Sequence, residues 1–304
     1  MADENKNLDE KLKNDQTEAP GIREIIEKKI YFFIRYFLPS IIPLIIYVGV
    51  VAICLIVGAF VFNFGKPLEQ YMQEMTNLYA IIGVCITFRI LRKRSQKEGS
   101  GFFEDASLYI HDINIKKVFL CIGFGIGSAL ALSAFISLLP SIGVIAEYES
   151  HVDKIYQRWS VFLSMMFSTF FTPLVEEVIF RGYMLNGLLP HWSEKKALLV
   201  VSLTFAFMHG TSIWILYAFV MGMILGKVSI LEDNIFYSVV MHMSFNLPST
   251  VLWLIYLRIP GSKESLSANP FMILLMGLAG GVVAWGCYII YKRSRKHEIP
   301  ITFK

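Results

Sequence analysis

The sequence predicts an all-α, polytopic membrane protein with about eight transmembrane helices and both termini in the cytoplasm. Three observations predict this. First, of 304 residues 55% are hydrophobic and 14% aromatic, only 17% are charged, and the mean hydropathy is +0.55, whereas soluble domains carry about 25% charged residues. Second, the charges fall in clusters separated by apolar runs of about 20 residues, the length that crosses a bilayer. Third, with the N-terminus inside, 23 of the 28 Lys and Arg residues fall on the cytoplasmic side and five outside, the asymmetry that orients multi-span chains. A seven-span reading would leave the termini on opposite sides. The net charge of +4 follows this topology and implies no nucleic-acid partner. The partner it implies is the lipid bilayer.

Residues 1–20 are polar and read as a disordered tail, without the basic-then-apolar pattern of a signal peptide. Residues 21–37 mix Ile25, Ile26, Ile30, Phe33 and Phe37 with Arg23, Lys28, Lys29 and Arg35, which predicts a basic helix lying on the membrane surface. A single membrane domain is expected over 38–291. Its spans are read at 38–63, 74–91, 116–139, 159–188, 197–211, 213–229, 235–257 and 271–291, and the boundary between fifth and sixth is weakly marked by Gly210, Thr211 and Ser212. Arg92-Lys93-Arg94 reads as a topology signal. The external connection 140–158 carries Glu147, Glu149 and Asp153; a lid and a plain loop both fit it. Residues 292–304 form a basic cytoplasmic tail. The four cysteines all lie in apolar runs with no CxxC pair, so they read as small buried hydrophobes. No internal repeat is visible.

Ionisable residues inside spans are disfavoured by roughly 2.5–3.5 kcal/mol on insertion scales, which makes them candidates for function. Here they are Glu176, Glu177 and Arg181 in the fourth span, His209 at the end of the fifth, and His242, accompanied by Asn246, in the seventh. Glu177 and Arg181 are four apart and share a helix face, as do His242 and Asn246. Glu176 points about 100° away from Glu177, so one glutamate can pair with Arg181 while the other faces a cavity. Each feature also has a structural reading: Glu177–Arg181 as a buried ion pair, and His242 with Asn246 as hydrogen-bonding glue between helices. His111, His151, His191 and His297 fall in loops or tails and are set aside.

Depth argues for function. The turn between fourth and fifth spans centres near Trp192; Glu176 lies 16 residues before it and His209 17 after, so both sit ~25 Å from the turn. Asn246 lies 13 residues beyond the next cytoplasmic turn at Asp233, or ~20 Å, with His242 one helical turn closer. A carboxylate, two imidazoles and an amide are thus expected at similar depth. Such a set can activate water, and Glu176, His209 and His242 also suit a zinc ion. An amide beside an imidazole can stabilise an oxyanion. Pro173 removes an N–H, frees the Thr169 carbonyl and is expected to kink the fourth span beside the glutamates.

Glu176-Glu177-x-x-x-Arg181, Phe205-x-x-x-His209 and His242-x-x-x-Asn246, in that order on three apolar helices, resemble the CPBP family of type II CAAX prenyl endopeptidases and Abi-type proteins. The resemblance covers about 155–257, and the glycines of Met221-Gly222-Met-Ile-Leu-Gly226 are similar to the family's small-residue stretch. It implies an eight-helix intramembrane endopeptidase, placed in the plasma membrane, acting on a membrane-associated peptide or protein near the cytoplasmic face. By match, Glu176 is the water-activating glutamate, His209 orients the water, and His242 and Asn246 hold the oxyanion; Glu177, Arg181 and Phe205 support them. Members have been described both as metalloproteases and as glutamate proteases without metal. The expectation taken here is that no cofactor is required, with zinc on Glu176, His209 and His242 as the alternative. Two other functions fit an apolar chain with buried charges: a non-catalytic immunity or scaffold protein, and a proton-coupled transporter. The absence of repeat symmetry weighs against the transporter.

Overall fold

The computed structural model describes residues 26, 30–31, 33–62, 68–110, 113–138, 165–210, 212–258 and 269–295. The expected polar tail 1–20, most of the expected surface helix, the external connection 140–158 and the chain after 295 lie outside the described residues. The chain divides into two compact units, Met1–Pro39 and Ser40–Lys304. In the first, Phe33–Phe37 forms a π-helical turn in which Phe33 stacks on Phe37 with ring centroids 5.1 Å apart.

Every regular element described in the second unit is helical. In chain order these are α1 (Leu38–Phe62), α2 (Leu68–Glu98), the short α3 (Phe102–Asp105), α4 (Ile115–Leu138), α5 (167–188, alternating π and α geometry), α6 (Glu194–Phe207), α7 (Ser212–Glu232), α8 (Ile235–Arg258) and α9 (Pro270–Arg295). Four described stretches are long and apolar enough to cross a membrane: Phe33–Phe60, Ile115–Leu138, Trp214–Glu232 and Pro270–Ser294, with mean hydropathies of 2.9, 2.1, 1.9 and 2.1. Their outer faces expose large apolar side chains such as Phe60, Phe119, Leu216 and Val282, an arrangement suited to lipid rather than water. The chain is an integral membrane protein.

Two boundaries differ from those read in the sequence. The second helix does not stop at 91 but runs on to Glu98. It ends where Gly99 takes φ +80°, Gly99 N–H donates to the Gln96 carbonyl and Ser100 N–H to the Ser95 carbonyl. That is a Schellman cap, which overrides the charge-based boundary. The fifth helix is shifted from the expected 197–211: α6 runs Glu194–Phe207, 14 residues, so it reaches ~21 Å, less than the ~30 Å hydrocarbon core. The chain leaves it through Gly210 at φ +83°.

The connection after α2 packs against the site helices. Ala106 is fully buried against Val178, Ile235 and Val239. Tyr109 N–H donates to Asn234 Oδ1 at 3.2 Å while Asn234 Nδ2 donates back to the Tyr109 carbonyl at 2.8 Å. Ile235 N–H donates to the Ser107 carbonyl. The turn between α7 and α8 is thereby clamped from below. Gly182 makes room for this segment, because a Cβ there would lie 2.9 Å from the Ala106 carbonyl oxygen.

The core centres on α8, which packs on α4, α7 and α5. Cys121, Met221, Leu225, Val228, Tyr237 and Met241 fill the space between α4, α7 and α8. On its other contacts α4 meets α9 backbone to backbone: a Cβ on Gly127 would lie 2.6 Å from the Gly280 carbonyl, and one on Gly280 equally close to that of Gly127. Small residues allow this approach where lipid supplies no hydrophobic drive. Glu232 joins three helix ends, accepting from Lys117 Nζ at 2.7 Å and from the Tyr291 hydroxyl. α6 and α7 form an antiparallel hairpin, tied at its base by the Lys227–Glu194 ion pair.

Candidate active site

The glutamates sit where α5 changes register. Phe167–Phe171 is π-helical, Thr172–Glu177 is α-helical and Val178–Leu185 is π-helical again. Thr172 N–H reaches back five residues to the Phe167 carbonyl. Pro173 follows as the second residue of the α segment and has no N–H to contribute. The expected disturbance near Pro173 is thus a pair of π segments flanking Glu176 and Glu177, and π segments inside helices concentrate at functional sites. A hydrogen bond of 2.6 Å between the hydroxyls of Thr169 and Thr250 fastens α5 to α8 just beyond this point.

Glu177 and Arg181 are completely buried. Arg181 Nη1 donates to Glu177 Oε1 at 2.8 Å, and Arg181 Nη2 donates to the Gly222 carbonyl at 3.1 Å. The same Glu177 oxygen lies 2.9 Å from His242 Nδ1. A carboxylate held by a guanidinium accepts only, so Nδ1–H is the donor and the His242 ring is fixed in one orientation. That turns Nε2 toward Glu176, whose Oε2 is 3.8 Å away. The two carboxylates differ in access: the Glu177 side chain is 0% exposed and that of Glu176 20%. Of the two, only the Glu176 side chain keeps accessible surface.

Phe205, buried in α6, stands at the centre of the group. Its ring lies under the Arg181 guanidinium, 4.6 Å from centroid to carbon, a cation–π contact strengthened by exclusion of water. It meets His242 edge to face at 5.9 Å, Phe180 likewise at 5.2 Å, and the His209 ring at 4.5 Å. One aromatic side chain therefore touches both histidines and the arginine. His209 follows the last turn of α6, and its Nδ1 lies 2.8 Å from the Phe205 carbonyl. A carbonyl cannot donate, so Nδ1 carries a proton and the neutral ring keeps a lone pair on Nε2. One turn beyond His242, Asn246 Nδ2 donates to the Ser168 carbonyl on α5 at 3.0 Å, which occupies one of its two N–H groups.

The structure brings Glu176, Glu177, Arg181, Phe205 and both histidines into one connected set, with Asn246 bonded to the start of α5. It does not gather zinc ligands. Among the described residues no three His, Cys, Asp or Glu side chains converge on a point that a metal ion can fill. His242 Nδ1 is engaged by Glu177 and His209 Nδ1 by the Phe205 carbonyl, which leaves Nε2 as the available nitrogen of each ring; with no such group of three, no step is derived through a metal. Three partners escaped the sequence reading: the Glu177–His242 bond and the carbonyls of Gly222 and Ser168. Each joins different helices, where residue spacing carries no signal. The one hint was Gly222 itself, whose missing side chain lets α7 press against Ser202.

Residues 158–248 match the family model described as Type II CAAX prenyl endopeptidase Rce1-like. The matched stretch contains all seven motif residues from Glu176 to Asn246 and is consistent with the CPBP family. No curated protein and no solved structure matches the chain.

Proposed function

We propose that this integral membrane protein is an intramembrane endopeptidase of the CAAX-protease kind in the plasma membrane, using a glutamate-activated water at the depth where the motif residues meet. The observation that carries the reading is the unequal burial of two adjacent glutamates. Glu177 is sealed and occupied by Arg181 and His242, whereas Glu176 is open. The family match over the same residues supports a protease. The charge asymmetry supports eight crossings with both termini in the cytoplasm.

In this mechanism Glu176 accepts a proton from water as the water oxygen adds to the peptide carbonyl carbon. His209, with Nδ1–H tied to its own helix, offers Nε2 to position that water. The carbonyl oxygen becomes an oxyanion and is met by the free N–H of Asn246. His242, when protonated on both nitrogens, gives Nδ1–H to Glu177 and presents Nε2–H on the Glu176 side. Glu176 then returns the proton to the amide nitrogen, the C–N bond breaks, and a carboxylic acid and an amine leave. The substrate is a membrane-associated peptide or protein. No metal is required.

The test uses Glu176→Gln beside wild type. Loss of cleavage with unchanged membrane insertion and melting temperature is expected, along with accumulation of uncut peptides in membranes that carry the variant. Turnover above a few per cent of wild type rules out Glu176 as the base. Purified protein treated with a membrane-permeant chelator is expected to keep its activity. Stoichiometric zinc whose removal stops turnover, and whose return restores it, overturns the metal-free mechanism.

A further inference from the structure

Met241, the residue before His242 on α8, faces a separate space. This is a cavity of about 810 Å³ between α4, α7 and α9, within the size range of ligand pockets. None of the motif residues lines it. Its walls are apolar along most of their length, with Phe124 and Ile224 among them, but they end in Lys227 and Lys292 together with Trp285, Tyr288 and Tyr291. A greasy slot closed at one end by two ammonium groups matches an amphiphile with an anionic head. Indole and phenol rings at that end match the headgroup level of a bilayer.

The charges at this end are unevenly matched. Glu232 is already held by Lys117 and Tyr291. Lys227 binds Glu194 in a pair that is nearly half exposed on both sides, so it can exchange that partner. Lys292 has no carboxylate partner among the described residues; its nearest recorded contact is the Tyr288 ring at 6.0 Å. The apolar part is held open by the α4–α9 packing. Gly280 presses α9 onto α4, while a Cβ on Gly281, which lines the cavity, would meet nothing within 4 Å. We infer that this groove is a binding site for an anionic phospholipid, with an acyl chain between α4, α7 and α9 and the phosphate at Lys292 and Lys227.

The full chain is purified in detergent, stripped of lipid, and incubated with phosphatidylglycerol or phosphatidylcholine of identical acyl chains; retained lipid is counted by native mass spectrometry. Wild type is expected to hold one phosphatidylglycerol in preference to phosphatidylcholine. Lys292→Gln is expected to reduce that preference about 5-fold, the change equivalent to about 1 kcal/mol for a basic residue at an anionic lipid surface. Arg293→Gln, a neighbour that does not line the cavity, leaves the preference intact. Gly281→Leu fills the slot and lowers retention of both lipids at an unchanged melting temperature. Equal retention of the two lipids by wild type overturns the site, as does a preference unaffected by Lys292→Gln. Exclusion of phosphatidylglycerol alongside retention of a lipid-modified peptide overturns it in favour of a substrate groove.

Discussion

At the scale of single residues the site depends on Glu177, which meets two demands with one oxygen. It neutralises Arg181 and orients His242, and both partners are buried. Truncating one member of such a pair leaves a desolvated charge behind and typically costs about 3–5 kcal/mol. Arg181→Ala is therefore expected to lower membrane accumulation and the melting temperature in detergent before any question of chemistry arises. A variant of normal stability and no activity would move Arg181 into the reaction itself. Asn246 is the opposite case. Its amide is bonded to the Ser168 carbonyl at the edge of the site, so its replacement is expected to spare the fold. Asn246→Asp removes N–H donors and adds negative charge beside a developing oxyanion, and kcat should fall by roughly 10²-fold or more. An unchanged kcat in steady-state assays of purified protein would take Asn246 out of the oxyanion role.

At the scale of elements the departure from regular helix in α5 sets the geometry. Two π segments bracket six α-helical residues, and Pro173 lies in the first turn of those six. Replacing it restores an N–H and favours a continuous α register through 167–177. Alanine exceeds proline by ~3 kcal/mol in helix interiors, so Pro173→Ala is expected to melt no lower than wild type. The altered register rotates Glu176 away from its position 3.8 Å from His242. Displacements of about 1 Å can cost on the order of 10²-fold in rate, and a loss of that order is expected with stability retained. Wild-type turnover in Pro173→Ala would show that the π geometry does not serve the chemistry.

For the whole molecule, the site helices α5, α6 and α8 carry the reacting groups, while α4 packs on α8 at Gly125 and α9 packs on α4 at Gly280. Gly280→Val pushes α9 off α4, since even a Cβ lies 2.6 Å from the Gly127 carbonyl oxygen. Overpacking of this kind typically costs about 1–3 kcal/mol. The expected signature is a lower melting temperature with kcat per folded molecule near wild type, because no residue of the set around Glu176 lies on α9. If kcat fell with stability unchanged, α9 would be coupled to the site rather than serving as scaffold.

Much of this was legible in the sequence because helices and bilayers each impose a fixed period. Runs of about 20 apolar residues announce crossings. Four-residue spacing put Glu177 on the same face as Arg181, and His242 on the same face as Asn246, before any coordinates. The three motifs named the residues that the structure gathers. Tertiary structure alone decided how they are wired. Glu177 reaches across to His242 on α8 and Arg181 to the Gly222 carbonyl on α7, and the Phe205 ring lies among three charged or titratable side chains. Such contacts depend on the rotation and separation of neighbouring helices, which no spacing within one helix encodes. The same reason hid the clamp of Tyr109 on Asn234, 125 residues apart. The early end of α6 was a local matter of another kind. The span was read on to 211, but the backbone turns through Gly210 at φ +83°, and hydropathy does not sense a glycine's φ.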